Sequence, residues 1–343
     1  MSQEVASDVT SARQIPSVLW SCVAENRPDW CEKVFNLALS VRTFGGRLAQ
    51  ERFVANFVGG VRPEFKSKLA ALDVETLAVE PYAAKVPTAN KLRILDLGRE
   101  ADVDVLLALD CDMLVTGDVS QHLMVDSVRA VPESRDPFGP EQWRLIFESF
   151  AMEEPPQVCV MTGSGRSTYP FYKSGVLSIP TEYCSPLVRH WARYIKMFED
   201  LCERSTAIEN RWFADQVGLA CAISAGQISF DPFPVAMNFP FRVRVHSGLS
   251  DEVRPPFVVH TGNQTDAQGF VLASRNKVIN PYIDAFNDRR AEHLGLAYSG
   301  LTQPSIPIRL QRVLSGTKWY DSGVVRRLRS SGPARRLRRK VML

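Results

Sequence analysis

Two carboxylates one residue apart, Asp110 and Asp112, follow a largely apolar run, Val103 to Leu109. Where a strand gives way to a turn, carboxylates at i and i+2 can converge on one hard cation. Oxygen ligands suit Mg²⁺ or Mn²⁺, which keep coordination positions open for phosphate oxygens. Open α/β sheets bind ligands outside the carboxyl ends of their strands, so the position agrees with the composition. A polar strand end would look the same. A second pair, Asp102 and Asp104, stands at the start of the run and reads as solvated loop charge. Asp215 falls inside a helical pattern, where Asp has poor propensity and wants a reason. Gly163-Ser164-Gly165-Arg166-Ser167 lacks the Lys of a P-loop and the third Gly of a dinucleotide fingerprint, and reads as a flexible loop.

These side chains need a scaffold, and the first 120 residues alternate between strand and helix patterns. Val18 to Ala24, Phe53 to Val58, Thr76 to Val79 and Val103 to Leu109 read as strands. Between them, Trp30 to Phe44 has a helical apolar period, and Pro63 to Leu72 opens on a proline where the missing N–H costs nothing. Thr88 is placed to cap a helix running through Lys91, Leu92 and Leu95 to Gly98. Successive units of this kind build a mainly parallel sheet with helices on both faces. Further on, Val128 to Val131 and Gly175 to Ile179 read as strands, and Pro186 to Cys202 and Trp212 to Ile223 as helices. Leu187, Trp191, Ile195, Phe198 and Cys202 form a core stripe on the first of these helices. Phe230 to Phe241 reads as an ordered loop, and Phe257 to His260 as a short strand ending on histidine.

Composition excludes several classes. The 343 residues carry 41 Lys+Arg against 38 Asp+Glu, with 45% hydrophobic residues, which rules out a disordered chain and a strongly basic nucleic-acid binder. No apolar stretch approaches the length of a membrane span, and the polar N-terminus lacks the plan of a signal peptide. Seven Cys without a C-x-x-C pair argue against a zinc site and a disulfide framework, and predict reduced thiols in a cytoplasmic protein.

The run VDVLLALDCDMLVTGDVSQHL resembles the strand, Asp-x-Asp and acidic turn of GT-A glycosyltransferases, most of all family 8, which contains glycogenin and bacterial lipopolysaccharide glycosyltransferases. Other pieces follow in the family's order across roughly residues 15 to 265. VLWSCVAENRPDW is similar to its first strand and base-holding loop, and Ala89-Asn90-Lys91-Leu92 to the helix start before the metal motif. Tyr172-Lys173-Ser174-Gly175-Val176-Leu177 resembles the strand beneath the donor sugar, Ala214-Asp215-Gln216 the Asp-Gln helix, and Val258-Val259-His260 the late strand whose histidine completes metal binding. The chain departs from the pattern at Lys173, where Asn is usual, and after His260, where Thr-Gly-Asn-Gln stands without the family's Lys-Pro-Trp.

The resemblance implies a GT-A fold: α/β, Rossmann-like, with a mainly parallel mixed sheet flanked by helices. It implies Mn²⁺ or Mg²⁺ on Asp110, Asp112 and His260, with His246 as a competing ligand. A nucleotide-diphosphate sugar would meet Ala24, Glu25 and Asn26 at base and ribose, and Asn90, Lys91, Ser174 and Gly175 around phosphate and sugar. Asp215 and Gln216 would serve catalysis, Asp215 as general base if the reaction inverts, or either as an orienting group if it retains. The acceptor would be a glycan or a lipid-linked molecule. An Asp-nucleophile phosphohydrolase of the haloacid dehalogenase type and a degenerate GT-A binding protein are the competing readings. The first usually opens the chain with its Asp-x-Asp, and here three β-α units precede it.

Charge is unevenly spread. Residues 318–343 carry nine Lys+Arg and one Asp, whereas residues 1–317 carry 32 Lys+Arg and 37 Asp+Glu. The expected layout is a polar segment 1–14, a GT-A domain 15–317 and a basic amphipathic tail 318–343. The tail suits an anionic membrane surface, which would put a cytoplasmic protein peripherally on the inner face of the membrane; the alternatives are a solubilising tail or nonspecific nucleic-acid contact, with no specific nucleic acid expected.

Overall fold

Alternation fixes the first strand of the chain. In β1 (Val18–Glu25), Val18, Trp20, Cys22 and Ala24 pack on one face of the sheet and Leu19 on the other, all buried. The computed structural model describes residues 15–83, 86–208, 210–225, 228–241, 245–246 and 255–303. The polar segment 1–14, the boundary at 317 and the basic tail 318–343 lie outside the described residues.

After β1 come α1 (Pro28–Phe44), β2 (Phe53–Val58), α2 (Pro63–Ala70), β3 (Val74–Val79), α3 (Leu92–Glu100), β4 (Val105–Asp110) and β5 (Met113–Val115). The chain continues through β6 (Val128–Pro132), α4 (Pro140–Ser149), β7 (Cys159–Val160), β8 (Ser167–Thr168), β9 (Tyr172–Pro180), α5 (Thr181–Arg204) and α6 (Ala214–Ser224). It ends with β10 (Phe230–Pro232), β11 (Phe239–Pro240), β12 (Val258–His260) and α7 (Asn280–Leu294).

Seven strands form the main sheet in the order β10-β6-β9-β4-β1-β2-β3. Its pairs are parallel except those made by β9, which runs antiparallel to both β4 and β6. One apolar core lies between the sheet and α1, α2 and α7; the other lies under α3, α4, α5 and α6. All nine residues of β9 are buried, as a central strand covered on both faces requires. The reversal of β9 matters for function, because its N-terminal residues Lys173, Ser174 and Gly175 arrive at the edge where the parallel strands β1 and β4 end. A small sheet, β11-β12-β5, stands beside that edge.

The expected strands and core stripe are present, and all seven cysteines are free and buried. Three local expectations change. Thr88 does not cap a helix: Pro87–Lys91 is a 3-10 turn begun by proline, and α3 starts at Leu92. The segment 230–241 contains two short strands and a 3-10 turn rather than only loop. Asp104 is more than solvated charge, since its carboxylate accepts from the backbone N–H and hydroxyl of Ser17 and ties the starts of β1 and β4 together. Helices α4 and α7 were not expected. Pro140 at the start and Trp143, Ile146 and Phe147 on one face mark α4, while Gly295 in the left-handed region (φ 62°) closes α7.

Candidate functional site

Ladder register assembles the first cluster. Strand β4 ends at Asp110, Cys111 turns into the core, and β5 begins one residue after Asp112. Strand β12 pairs antiparallel with β5, matching Val258 to Val115, Val259 to Leu114 and His260 to Met113. The next residue, Thr261, donates from its backbone N–H (3.0 Å) and hydroxyl (2.7 Å) to the Asp112 carbonyl. His260 is thereby held with Nε2 3.4 Å from Asp112 Oδ1. One ligand atom from each of Asp110, Asp112 and His260 falls within 4.8 Å of the others. His246 takes no part: its backbone N–H donates to the Thr162 carbonyl, and its ring lies against Gly165.

Charges in this cluster act on one another. Burial opposes ionisation of Asp112, but His260 and the ammonium of Lys33 outweigh it and hold the carboxyl below the usual range. Burial disfavours the His260 imidazolium, yet Asp112 and Asp110 raise its pKa above the ordinary value. Asp110 is raised, chiefly by burial and with help from Asp112, against the pull of Lys91. Two carboxylates and an imidazole, one carboxylate readily ionised, form a donor set that fits a divalent cation of the Mn²⁺ or Mg²⁺ type.

Lys91 organises the second cluster. Its ammonium lies 3.0 Å from Asp110 Oδ1 and 3.1 Å from Asp215 Oδ2, and donates to the Ser174 hydroxyl at 2.8 Å. The Ser174 hydroxyl in turn donates to Asp215 Oδ2 at 2.7 Å. Burial disfavours the ammonium, but Asp110 and Asp215 raise its pKa well above the ordinary lysine value. The sequence reading expects Lys91 to pair with phosphate or donor sugar; here its ammonium pairs with two carboxylates and positions them. Asp215 is likewise committed, and Trp191, expected only as core, fixes its helix start by donating from Nε1 to the Asp215 carbonyl at 2.6 Å.

Around these clusters the other expected residues gather. Ala24 and Glu25 end β1, whose Val23 pairs with Asp110, and Asn26 follows with its buried Oδ1 unpartnered. Asn90, expected beside the donor, is buried, and its Oδ1 accepts from the Tyr82 N–H at 2.8 Å. Gly175 is small for a steric reason: a Cβ there would stand 2.5 Å from Met113 Cε and 2.9 Å from Asp110 Oδ2. Gln216 keeps a buried Oε1 without a partner. Orphaned buried polar atoms are uncommon in folded proteins, so those of Asn26 and Gln216 suit a polar ligand.

Two further groups stand in the site, Asn238 and Lys173. Asn238 is fully buried with both side-chain polar atoms unpartnered, its Nδ2 3.3 Å from where a Cβ on Gly175 would stand. Lys173 is buried and donates to the Asn238 carbonyl at 3.1 Å, while burial lowers its pKa and Glu133 opposes that shift. The Lys173 departure from Asn was visible in the sequence; nothing there singled out Asn238.

Comparison with known proteins agrees with the geometry. The model of the Rhodobacterales glycosyltransferase domain matches residues 34–227. The fold is similar to that of the galactosyltransferase LgtC solved with donor and acceptor sugar analogs, at 17% identity and TM-score 0.51, covering 85% of this chain and 99% of that one. An active-site mutant of LgtC matches at 15% identity, TM-score 0.51 and the same coverage. These likenesses show a GT-A fold. No curated protein matches the chain significantly.

Proposed function

Because the chain belongs to the Rhodobacterales glycosyltransferase domain family, we propose that it transfers a hexose from a nucleotide-diphosphate sugar to a glycan or lipid-linked acceptor, with Mn²⁺ or Mg²⁺. The observation that carries the reading is the convergence of Asp110, Asp112 and His260 at the carboxyl edge of the sheet. These three residues would hold the cation. Bound there, it would supply Lewis-acid neutralisation of the negative charge that grows on a departing diphosphate.

The chain's own residues do the rest. Lys91 holds Asp110 and Asp215 in fixed positions, so neither carboxylate has to reorganise during reaction. Asp215 is engaged by an ammonium and a hydroxyl, which favours an orienting role over that of general base. Gln216, with its free buried oxygen, and Gly175 on β9 face sugar hydroxyls and ring. Ala24 and Glu25 at the end of β1, with Asn26 after it, take ribose and base.

Hydrolysis of a panel of nucleotide sugars by the full chain, with Mn²⁺ and with EDTA, tests this. Turnover of at least one donor is expected with Mn²⁺ and its loss with EDTA. Binding without turnover would leave a degenerate GT-A receptor, and turnover of a phosphomonoester instead would favour a phosphohydrolase.

Among the described residues, no helix is long and apolar enough to cross a membrane. The basic segment 318–343 supports docking of a GT-A domain, residues 15–317, on an anionic leaflet where a lipid-linked acceptor resides. Truncation after Gly316 is expected to abolish co-sedimentation with anionic vesicles while sparing donor hydrolysis. Unchanged sedimentation would sink the docking role.

A further inference from the structure

Among the described residues, three lysines are less than a tenth exposed: Lys33 (5%), Lys91 (9%) and Lys173 (6%). Lys91 pairs directly with Asp110 and Asp215, whereas Lys173 and Lys33 feel a carboxylate only through its field, Glu133 and Asp112 respectively. Lys33 lies on α1. Its ammonium donates to the neutral Oδ1 of Asn263 and lies 4.3 Å from the centroid of the Trp30 ring. Among the described residues, no carboxylate comes within ion-pair distance of it.

A buried ammonium with no carboxylate at ion-pair distance, only the field of Asp112, gains from an anion delivered to it. Its neighbourhood identifies the anion. Lys33 is close enough to act on the carboxylate of Asp112 and the thiol of Cys111, both beside the candidate cation cluster. Asn263 lies three residues beyond His260, on a loop bolted to the Asp112 carbonyl through Thr261. In that loop Gly262 adopts the left-handed region (φ 62°), and a Cβ on it would meet nothing within 4 Å. The lysine thus holds the loop that follows His260, beside the candidate cation cluster.

We propose that Lys33 is the residue that binds the diphosphate of the donor, exchanging the Asn263 amide oxygen for a phosphate oxygen. The assignment rests on the nucleotide-sugar reading above. It makes helix α1, rather than the segment after His260, the source of the cationic grip on the leaving group. An ammonium to phosphate contact is a charge-assisted hydrogen bond, among the stronger polar contacts available.

Inorganic pyrophosphate is the probe, because it carries the diphosphate without base or sugar. Its affinity is measured calorimetrically with Mn²⁺ for the full wild-type chain, Lys33→Met and Lys33→Arg. Lys33→Met should bind at least about tenfold more weakly, and Lys33→Arg should recover part of the loss. A cooperative thermal transition in each ligand-free variant checks that it folds. Unchanged affinity in Lys33→Met would overturn the assignment. Failure of the wild-type chain to bind pyrophosphate with Mn²⁺ would overturn the nucleotide-sugar reading instead.

Discussion

Asp112→Asn should lower Mn²⁺-dependent donor turnover by roughly three orders of magnitude. Neutralising charge on a leaving diphosphate contributes several kcal/mol, and each 1.4 kcal/mol is a factor of about ten in rate. Asn preserves size and one oxygen but removes the only carboxyl of the cluster that its neighbours hold below the usual range. A second readout follows from the His260 contact. His260 has a raised pKa, so its stabilising contribution is complete below its ordinary value of about 6.5 and is lost as pH rises through the raised one. Asp112 has a lowered pKa, so its contribution is complete above about 3.9 and is lost as pH falls through the lowered value. The wild-type protein without cation should therefore gain stability from the pair at mildly acidic pH, and the variant should not. Thermal midpoints from pH 4 to 8 measure the difference. Wild-type turnover in Asp112→Asn would remove Asp112 from the site.

Much of this arrangement can be read along the chain, and the reason is periodicity. Strand β2 matches its expected span because an apolar run ends at paired glycines, and Gly59 and Gly60 indeed take positive φ values. The Asp-x-Asp at the end of β4 is legible because strand, turn and carboxylates are contiguous. His260 is legible only through resemblance, since its partner across the β5–β12 ladder is set by register that spacing does not encode. Lys91 shows the limit more sharply. The sequence places it near the site but cannot say that its ammonium turns inward, because Asp110, Ser174 and Asp215 reach it from three different elements. Lys33 carries no signal at all: nothing in the sequence of α1 says that it is buried with its ammonium on Asn263.

Lys91→Met should be the most damaging single change to stability within the site. Asp215 is buried with a side chain 6% exposed, and its carboxylate shares the Lys91 ammonium with Asp110. Removing one member of a buried ion-paired group leaves an uncompensated charge, which costs about 3–5 kcal/mol. For a domain of this size that is roughly 6–10 °C in thermal midpoint. The loss should depend on pH in a defined direction. Burial already raises Asp110, and Lys91 is the principal influence holding it down. Without the ammonium the Asp110 pKa climbs further, so the folded variant favours the protonated acid and its deficit shrinks as pH falls below that raised value. Adding Asp215→Asn to Lys91→Met should recover much of the midpoint, since the buried charge left behind is then neutral. Turnover should stay low in the double variant, because the geometry that Lys91 imposes on Asp110 is not restored. Equal midpoints for Lys91→Met and wild type would show that the ammonium is dispensable to the fold. Full turnover in the double variant would show that it is dispensable to the site as well.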